Sequence, residues 1–446
     1  MKVELSPSQI ITLGFLGIIL IGTIILALPI SSAKDSLTLV DALFTSTSAV
    51  CVTGLIVIDT PNDLSMFGQI ATLLLIQIGG LGYMTSATIL SIVVGKKVGL
   101  KQRLVLQEAL NVLSLEGLIR FTKGVLKVTF LFELIGAVLL SIRFAMDMDI
   151  FKAIYFGIFH SISAFNNAGF SLFSNNLMGY RNDIFSNIVI TGLIIIGGIG
   201  FLVISDVYKY TRREVTRLST HTKLVISVTS TLIVSGTTAI LLFEYFNPQT
   251  FASFSLKSNL LTAYFHSISA RTAGFNTIDI SLMQSSTLFL IIMLMAVGAS
   301  PGGTGGGMKT TTFGVMMIGL WSTIRGHTDT VFFERRVSHE LITRAYAIGA
   351  MAFLVVNIST LLLLLEEKSD YLHTLFEAVS AFATVGLSVG DGGVRSLSAL
   401  FTDMGKLTVA LTMFIGRVGP LTMGMAVIKK AEMVRLRYPE GKVLIG

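Results

Sequence analysis

The feature that most constrains this chain is a short motif that occurs four times, each copy lying between two long apolar stretches. Phe44-Thr45-Ser46-Thr47-Ser48-Ala49 leads to Gly54, and Phe159-His160-Ser161-Ile162-Ser163-Ala164 leads to Gly169. Phe265-His266-Ser267-Ile268-Ser269-Ala270 leads to Gly274, and Phe376-Glu377-Ala378-Val379-Ser380-Ala381 leads to Gly386; the third copy is one residue shorter between alanine and glycine. Repeats of this kind specify one structural unit used several times. The apolar stretches run near 9–30, 64–94, 118–145, 184–207, 223–246, 284–320, 342–365 and 403–428. About 20 helical residues at 1.5 Å each cross roughly 30 Å of hydrocarbon. Eight such crossings put both termini on one side, and every motif copy falls in a linker on the other side.

Composition agrees with lipid as the main solvent. Of 446 residues, 52% are hydrophobic and 13% charged, about half the charged fraction of a soluble domain, roughly 25%. The net charge of +7 does not point to a nucleic-acid partner, because the basic residues are segregated. They collect around Lys96–Lys123, Lys209–Lys223, Arg325–Arg344 and Lys429–Lys442, while the intervening linkers carry Asp35, Asp41, Asp59, Asp63, Glu366, Glu367 and Asp370. That alternation is the positive-inside pattern and makes the basic side, with both termini, cytoplasmic. The apolar run Ile10–Ile30 exceeds a signal-peptide core and is long enough to span. A lone cysteine, Cys51, excludes an internal disulfide and a cysteine-based metal cluster. No Pro- or Ser-rich linker divides the chain. It reads as one all-α membrane domain, residues 1–446, with four parallel helix–pore-loop–helix repeats near 8–95, 117–210, 222–321 and 339–430. Repeats running in the same direction imply a pseudo-fourfold axis along the membrane normal around a central pore.

The motif has the chemistry of a cation filter. A helix over Leu37–Ala49 is only ~18 Å long, so it enters one leaflet and stops near mid-membrane with its negative dipole end inward. The chain then climbs back in extended form. Irregular backbone at that depth is tolerated only where it lines a water-filled cavity or is buried in protein. Glycine permits the positive φ that lets successive carbonyls aim at one axis, and a ring of carbonyls can replace an ion's hydration shell. The alternative is four re-entrant loops packed against helices with no ion between them.

These loops, each between two membrane helices, resemble those of the Trk/Ktr/HKT superfamily of potassium transporters, and the likeness covers essentially the whole chain. Eight crossings without an extra N-terminal pair are most similar to the membrane subunits of bacterial Ktr potassium uptake systems. The resemblance implies one glycine per filter loop, at Gly54, Gly169, Gly274 and Gly386, with ion-coordinating carbonyls on Val52-Thr53-Gly54, Asn167-Ala168-Gly169, Thr272-Ala273-Gly274 and Thr384-Val385-Gly386. Some relatives that pass sodium carry serine in the first loop, so Gly54 favours potassium. The likeness also implies a homodimer in the cell membrane and a cytosolic ring of nucleotide-binding RCK subunits (KtrA type). No cofactor is implied beyond the transported potassium, and sodium dependence stays open. The segment 438–446 is a candidate dimer contact.

The sixth apolar stretch is too long for one crossing: as a single helix Leu282–Trp321 would measure ~60 Å. Its centre is Gly298-Ala299-Ser300-Pro301-Gly302-Gly303-Thr304-Gly305-Gly306-Gly307-Met308-Lys309. Proline and repeated glycine end a helix, so two half-helices joined by a loop at membrane depth are expected. A phosphate-binding loop is excluded because Met308 separates Gly307 from Lys309. Few side chains imply low local stability, and a gate made of Gly302, Gly303, Thr304, Gly305, Gly306, Gly307 and Lys309 follows; the resemblance implies an intramembrane loop here too. The other reading is a static kink. Arg417, inside the last stretch, should face a cavity or carbonyl partners, either as part of this gate or as a structural pin. Glu133 is assigned a structural partner. His160 and His266 occupy matching motif positions, but Thr45 and Glu377 fill the other two, so no four-histidine metal ring forms. No nucleophile elbow, carboxylate pair or His-Glu-x-x-His occurs in a recognisable frame, so the chain is not expected to be an enzyme. A sodium or non-selective monovalent cation carrier is the nearer alternative function, and a secondary transporter of an organic solute the more distant one.

Overall fold

A computed structural model describes residues 5–34, 36–82, 118–327, 329–390 and 394–427, together with positions 85, 99, 104–107 and 392. The described helices fall into four trios in chain order: a long lead helix, a short re-entrant helix and a closing helix. The lead helices are Pro7–Ala27, Leu118–Phe144, Thr220–Glu244 and His339–Glu366, and all four are long and apolar enough to cross a membrane. The re-entrant helices are Leu39–Cys51, Ile150–Phe165, Leu256–Ser269 and Tyr371–Ala383. Each starts at a side chain that accepts an otherwise orphaned N–H: Thr38 from Asp41, Asp149 from Phe151, Ser255 from Ser258 and Asp370 from Leu372. The motif phenylalanines Phe44, Phe159, Phe265 and Phe376 are fully buried and serve packing.

One interlock recurs and fixes each re-entrant helix against its lead helix. The Ser46 hydroxyl donates to the Ile19 carbonyl at 2.8 Å, Ser161 to Glu133 at 2.6 Å and Ser267 to Ile233 at 2.9 Å. One turn further along each lead helix, Gly22, Gly136 and Gly236 leave room for that serine and for a leucine of the closing helix, Leu75, Leu193 or Leu294. In the fourth repeat the polarity is exchanged: Ala378 stands on the re-entrant helix, and Ser359 of the lead helix bonds Thr412 of the closing helix at 2.8 Å. Repeat four joins repeat one through the half-buried Lys406–Asp41 ion pair at 2.7 Å.

The closing helices differ from the continuous crossings expected. The second, Ile184–Gly198, breaks at Gly200 (φ 96°) and continues as Phe201–Thr211 at 99° to its first part. The fourth, Asp403–Val418, breaks at Gly419 (φ 91°) and continues as Pro420–Val427, a bend of about 93°. The first, Met66–Leu81, ends at Gly82 (φ 79°); most of its expected continuation to residue 94 lies outside the described residues. The third divides into Ser285–Met295 and Thr310–Ile324, as its glycine and proline content predicts. Left-handed glycine redirects a helix without steric penalty, and hydropathy does not register it. By length and composition, four crossings, or six with each bent pair taken as one, are recognisable among the described residues. The segment 438–446, a candidate dimer contact, also lies outside them.

Three closing helices touch the re-entrant helices backbone to backbone. A Cβ on Gly79, Gly197 or Gly416 would overlap the carbonyl oxygen of Val50, Phe165 or Phe382 respectively. Substituting alanine at Gly197 or Gly416 should therefore destabilise the protein by about 1–3 kcal/mol, the usual range for overpacking. Gly124→Ala, where nothing lies within 4 Å, should be neutral or slightly stabilising. Thermal unfolding midpoints of the detergent-solubilised variants test this, and equal midpoints for all three would contradict it.

Candidate functional site

The backbone after each re-entrant helix follows one pattern. Two residues before each motif glycine stands a non-glycine residue with positive φ: Val52 at 57°, Asn167 at 59°, Thr272 at 68° and Thr384 at 52°. The glycines follow at 92°, 71°, 75° and 90° for Gly54, Gly169, Gly274 and Gly386, and the residue between has ordinary φ. Left-handed conformation at non-glycine residues costs roughly 1–2 kcal/mol each, so surrounding structure must hold it. The motif serine does so. Its carbonyl accepts the N–H of the residue before the glycine: Ser48 from Thr53, Ser163 from Ala168 and Ser380 from Val385, each at 2.8 Å, and Ser269 from Ala273 at 3.0 Å. Its hydroxyl accepts the glycine N–H in repeats one and four (Ser48–Gly54 3.0 Å, Ser380–Gly386 3.1 Å). In repeats two and three it donates instead to the carbonyl beyond, Ser163 to Phe170 at 2.7 Å and Ser269 to Phe275. The shortened third loop thus has one residue, Arg271, where the others have two, and keeps the register of Thr272-Ala273-Gly274.

The four glycines stand together and close a ring. The Cβ position of Gly54 faces the Gly169 Cα at 3.1 Å, that of Gly169 faces Gly274 at 3.0 Å, that of Gly274 faces Gly386 at 3.2 Å, and that of Gly386 faces Gly54 at 3.0 Å. The carbonyl oxygens of Ala168, Ala273, Val385 and Thr53 occupy the same close contacts. No side chain fits there. On one face of the ring lies a cavity lined by all four glycines and by residues that follow them, among them Ile56, Ser171, Asn276 and Ser388.

On the other side, the loop between the third closing half-helices packs against the residues two before the glycine in repeats three and four. A Cβ on Gly305 or Gly306 would strike the hydroxyl of Thr272 or Thr384, and Gly306 N–H donates to Thr384 Oγ1 at 2.9 Å. The loop is not loose. Ser300 and Thr304 N–H donate to the Gly198 and Gly197 carbonyls at 2.9 and 3.1 Å, Phe201 N–H to Gly302 at 3.1 Å, and Gly298 N–H to Met308 at 2.8 Å. Gly303 packs on the same Gly197 and Gly198 carbonyls, and Gly307 turns at φ 68°. Lys309 Nζ donates to the Gly305 carbonyl at 2.8 Å. Arg417 donates to two carbonyls, Thr304 in the loop and Gly79 in the first closing helix, with its guanidinium 5.9 Å from the Phe15 ring centre. Neither cation has a carboxylate partner among the described residues, so their charges are met by carbonyl dipoles.

The remaining charged candidates brace the site from behind. Glu133 accepts Asn166 Nδ2 at 3.0 Å, and Asn166 also reaches Gln77 at 3.2 Å. His160 bonds Phe156 O at 2.8 Å and Ser171 Oγ at 2.9 Å, while His266 bonds Thr262 O at 2.9 Å. At the matching position Glu377, fully buried, accepts Ser388 Oγ at 2.6 Å and Ser398 N–H at 3.0 Å, and the Ser398 hydroxyl as well. Ser171 and Ser388 each stand two residues beyond the motif glycine, so the histidine and the glutamate hold the same point of their repeats. The sequence marks this position by its helix register but not its partner, which lies outside the motif. Among the described residues no group of three or more His, Cys, Asp or Glu is placed to hold a metal. Glu377→Ala would leave at least two donors unpaired at about 1–3 kcal/mol each. The unfolding midpoint should fall clearly below that of Glu377→Gln, which keeps an acceptor; identical midpoints would contradict the brace.

Residues 7–435 match the family model described as TrkH, cation transport protein. The chain is 41% identical over its full length to the Ktr system potassium uptake protein B of Bacillus subtilis (strain 168), covering 98% of that protein, and 39% identical to the Ktr system potassium uptake protein B of Vibrio alginolyticus, covering 96%. It is 36% identical over 99% of its length to the potassium/sodium uptake protein NtpJ of Enterococcus hirae, covering 98% of it. The crystal structure of the potassium transporter TrkH from Vibrio parahaemolyticus superposes with a TM-score of 0.72 at 19% identity, covering 96% of this chain and 86% of the other.

Proposed function

Because the chain belongs to the TrkH family of cation transport proteins, we propose that it is the membrane subunit of a potassium uptake system and conducts potassium passively through the ring at Gly54, Gly169, Gly274 and Gly386. The observation that carries this reading is the closed ring itself. Four backbone strands with alternating φ approach to within contact, and no side chain fits between them, which supports a path lined by carbonyl oxygens. Carbonyl oxygens in that arrangement substitute for the water of a monovalent cation. The coordinating groups are the carbonyls of Val52-Thr53-Gly54, Asn167-Ala168-Gly169, Thr272-Ala273-Gly274 and Thr384-Val385-Gly386, in a chain that crosses the cell membrane with both termini cytoplasmic.

Passive conduction is sufficient for accumulation. A charge moving through 100 mV gains about 2.3 kcal/mol, while a hundredfold gradient opposes it with roughly 2.7 kcal/mol. Control then comes from the loop and from partners. Loop 298–308 lies against Thr272 and Thr384 and obstructs the inner face; Arg417 holds it and adds a positive charge to the barrier. A homodimer bearing a cytosolic ring of nucleotide-binding RCK subunits supplies the regulation that these short linkers lack. The named substrates of NtpJ, potassium and sodium, support a second reading in which sodium also passes or is required.

Growth of a potassium-uptake-deficient bacterium at limiting potassium should be restored by this gene, and sodium replacement during uptake measurements separates the two readings. Gly54→Ser should shift the preference from potassium towards sodium; no rescue by the unaltered chain with its partner would sink the proposal.

Arg417→Ala and deletion of Ser300–Gly306 should each raise flux several-fold at unchanged protein levels, since charge-assisted hydrogen bonds worth about 1.5–3 kcal/mol hold the closed loop. If Arg417 were a structural pin alone, Arg417→Ala would lower the unfolding midpoint and leave flux per molecule unchanged.

A further inference from the structure

We infer that Asp59 and Asn176 form a cation-capture site in the cavity on the side of the ring opposite the loop. It would take a monovalent cation that has shed part of its water, before that cation enters the ring. The inference rests on the proposed transport function and adds a site to it.

Asp59 lies five residues beyond Gly54 and lines the same cavity as all four ring glycines. It precedes the short helix Thr60–Asp63, where an aspartate would ordinarily accept a backbone N–H of the first turn. Its carboxylate makes no such bond. One oxygen, Oδ2, accepts Asn62 Nδ2 at 2.7 Å, and Asn62 also reaches Ser174 Oγ at 2.9 Å. The other oxygen, Oδ1, is shielded from bulk solvent and meets no donor among the described protein groups. A buried carboxylate oxygen without a donor is costly, so its retention calls for a positive partner.

A second orphan acceptor stands on the same wall. Asn176, from the second repeat, lines this cavity, and its Oδ1 is likewise buried and meets no donor among the described residues. Its backbone is held at φ 53° by a turn in which its N–H donates to Phe173 O at 2.9 Å. Asn62 and Ser174 tie the two segments together, so the carboxylate and the amide belong to one neighbourhood. Two hard oxygen acceptors beside polar Ser171 and Asn276 are ligands for a hard cation. Arg395 also lines the cavity, and the Asp59 carboxylate opposes the repulsion that this guanidinium would exert on an entering cation. A single charge at the mouth of a narrow path raises local ion occupancy and acts on half-saturation more than on maximal rate.

The test is potassium uptake by the full chain with its partner, in cells lacking other uptake systems, at low and high ionic strength. Asp59→Asn keeps an acceptor for Asn62 and removes the charge. It should raise the half-saturating potassium concentration roughly fivefold with maximal rate unchanged, and the difference should shrink in high choline chloride. An Asp59→Asn variant with normal half-saturation, or one whose defect high choline chloride does not reduce, overturns the site and assigns Asp59 to loop structure. Should Asp59→Asn not accumulate in the membrane, Asn176→Ala carries the test: a rise in half-saturation supports the site, and an unchanged value overturns it. Absence of uptake by the unaltered chain would instead count against the transport function on which the site rests.

Discussion

The structure depends on one constraint, the approach of four extended strands to within contact of one another at Gly54, Gly169, Gly274 and Gly386. Each glycine's missing side chain is the space occupied by the next strand's backbone. Any Cβ would push the strands apart, and at φ between 71° and 92° it would also be strained. Everything outside the ring can be read as support for that approach. The re-entrant helices deliver the strands, and the motif serines fix their turn through both carbonyl and hydroxyl. The Gly–Ser–Leu interlocks set the depth of three helices, and the buried His160 and Glu377 hold two strands at the same point beyond the glycine. The positive φ of Val52, Asn167, Thr272 and Thr384 is strain that this support sustains.

The ring is close to fourfold, and the parts beneath it are not. Three closing helices turn sharply or stop at Gly82, Gly200 and Gly419, while the third repeat interposes a long loop instead. That loop bonds the second repeat at Gly197 and Gly198, touches the third and fourth at Thr272 and Thr384, and is linked to the first through Arg417, which also donates to Gly79. One segment of one repeat therefore contacts the second, third and fourth, and reaches the first through the Arg417 side chain. A symmetric set of four such loops would compete for the same volume, which is a physical reason for only one repeat to carry it.

The sequence displayed the repeated motif, its four glycines, the four lead helices and the interrupted third closing segment, because each rests on local pattern: hydropathy, a recurring hexapeptide, or a cluster of glycine and proline. It concealed whatever depends on the direction of the chain or on distant partners. A glycine at 200 or 419 inside an apolar run does not announce a right-angle bend. Arg417 was visible as a buried charge, but its acceptors on Thr304 and Gly79 lie 113 and 338 residues away. The loop's poverty of side chains pointed to low stability. Much of its anchoring is by backbone N–H groups, which every residue type but proline provides and no composition can reveal. In the sequence Asp59 is one acidic residue of an outward linker among others; its orphan oxygen follows from an unused helix cap that only the fold reveals.

In the proposed function these features combine into one electrostatic profile. The re-entrant helices end at Cys51, Phe165, Ser269 and Ala383, so four negative helix termini surround the ring and favour a cation within it. A carboxylate precedes the ring at Asp59, and two cations without acidic partners among the described residues, Lys309 and Arg417, follow it. A potassium ion would thus meet attraction at the mouth and in the ring and repulsion at the exit, with the repulsive charges bound to the same loop that obstructs the path. Displacing the loop would break the carbonyl contacts of Lys309 and Arg417 and open the obstruction in one movement. The steric barrier and the electrostatic barrier would fall together, so a partner need only act on the loop to control both.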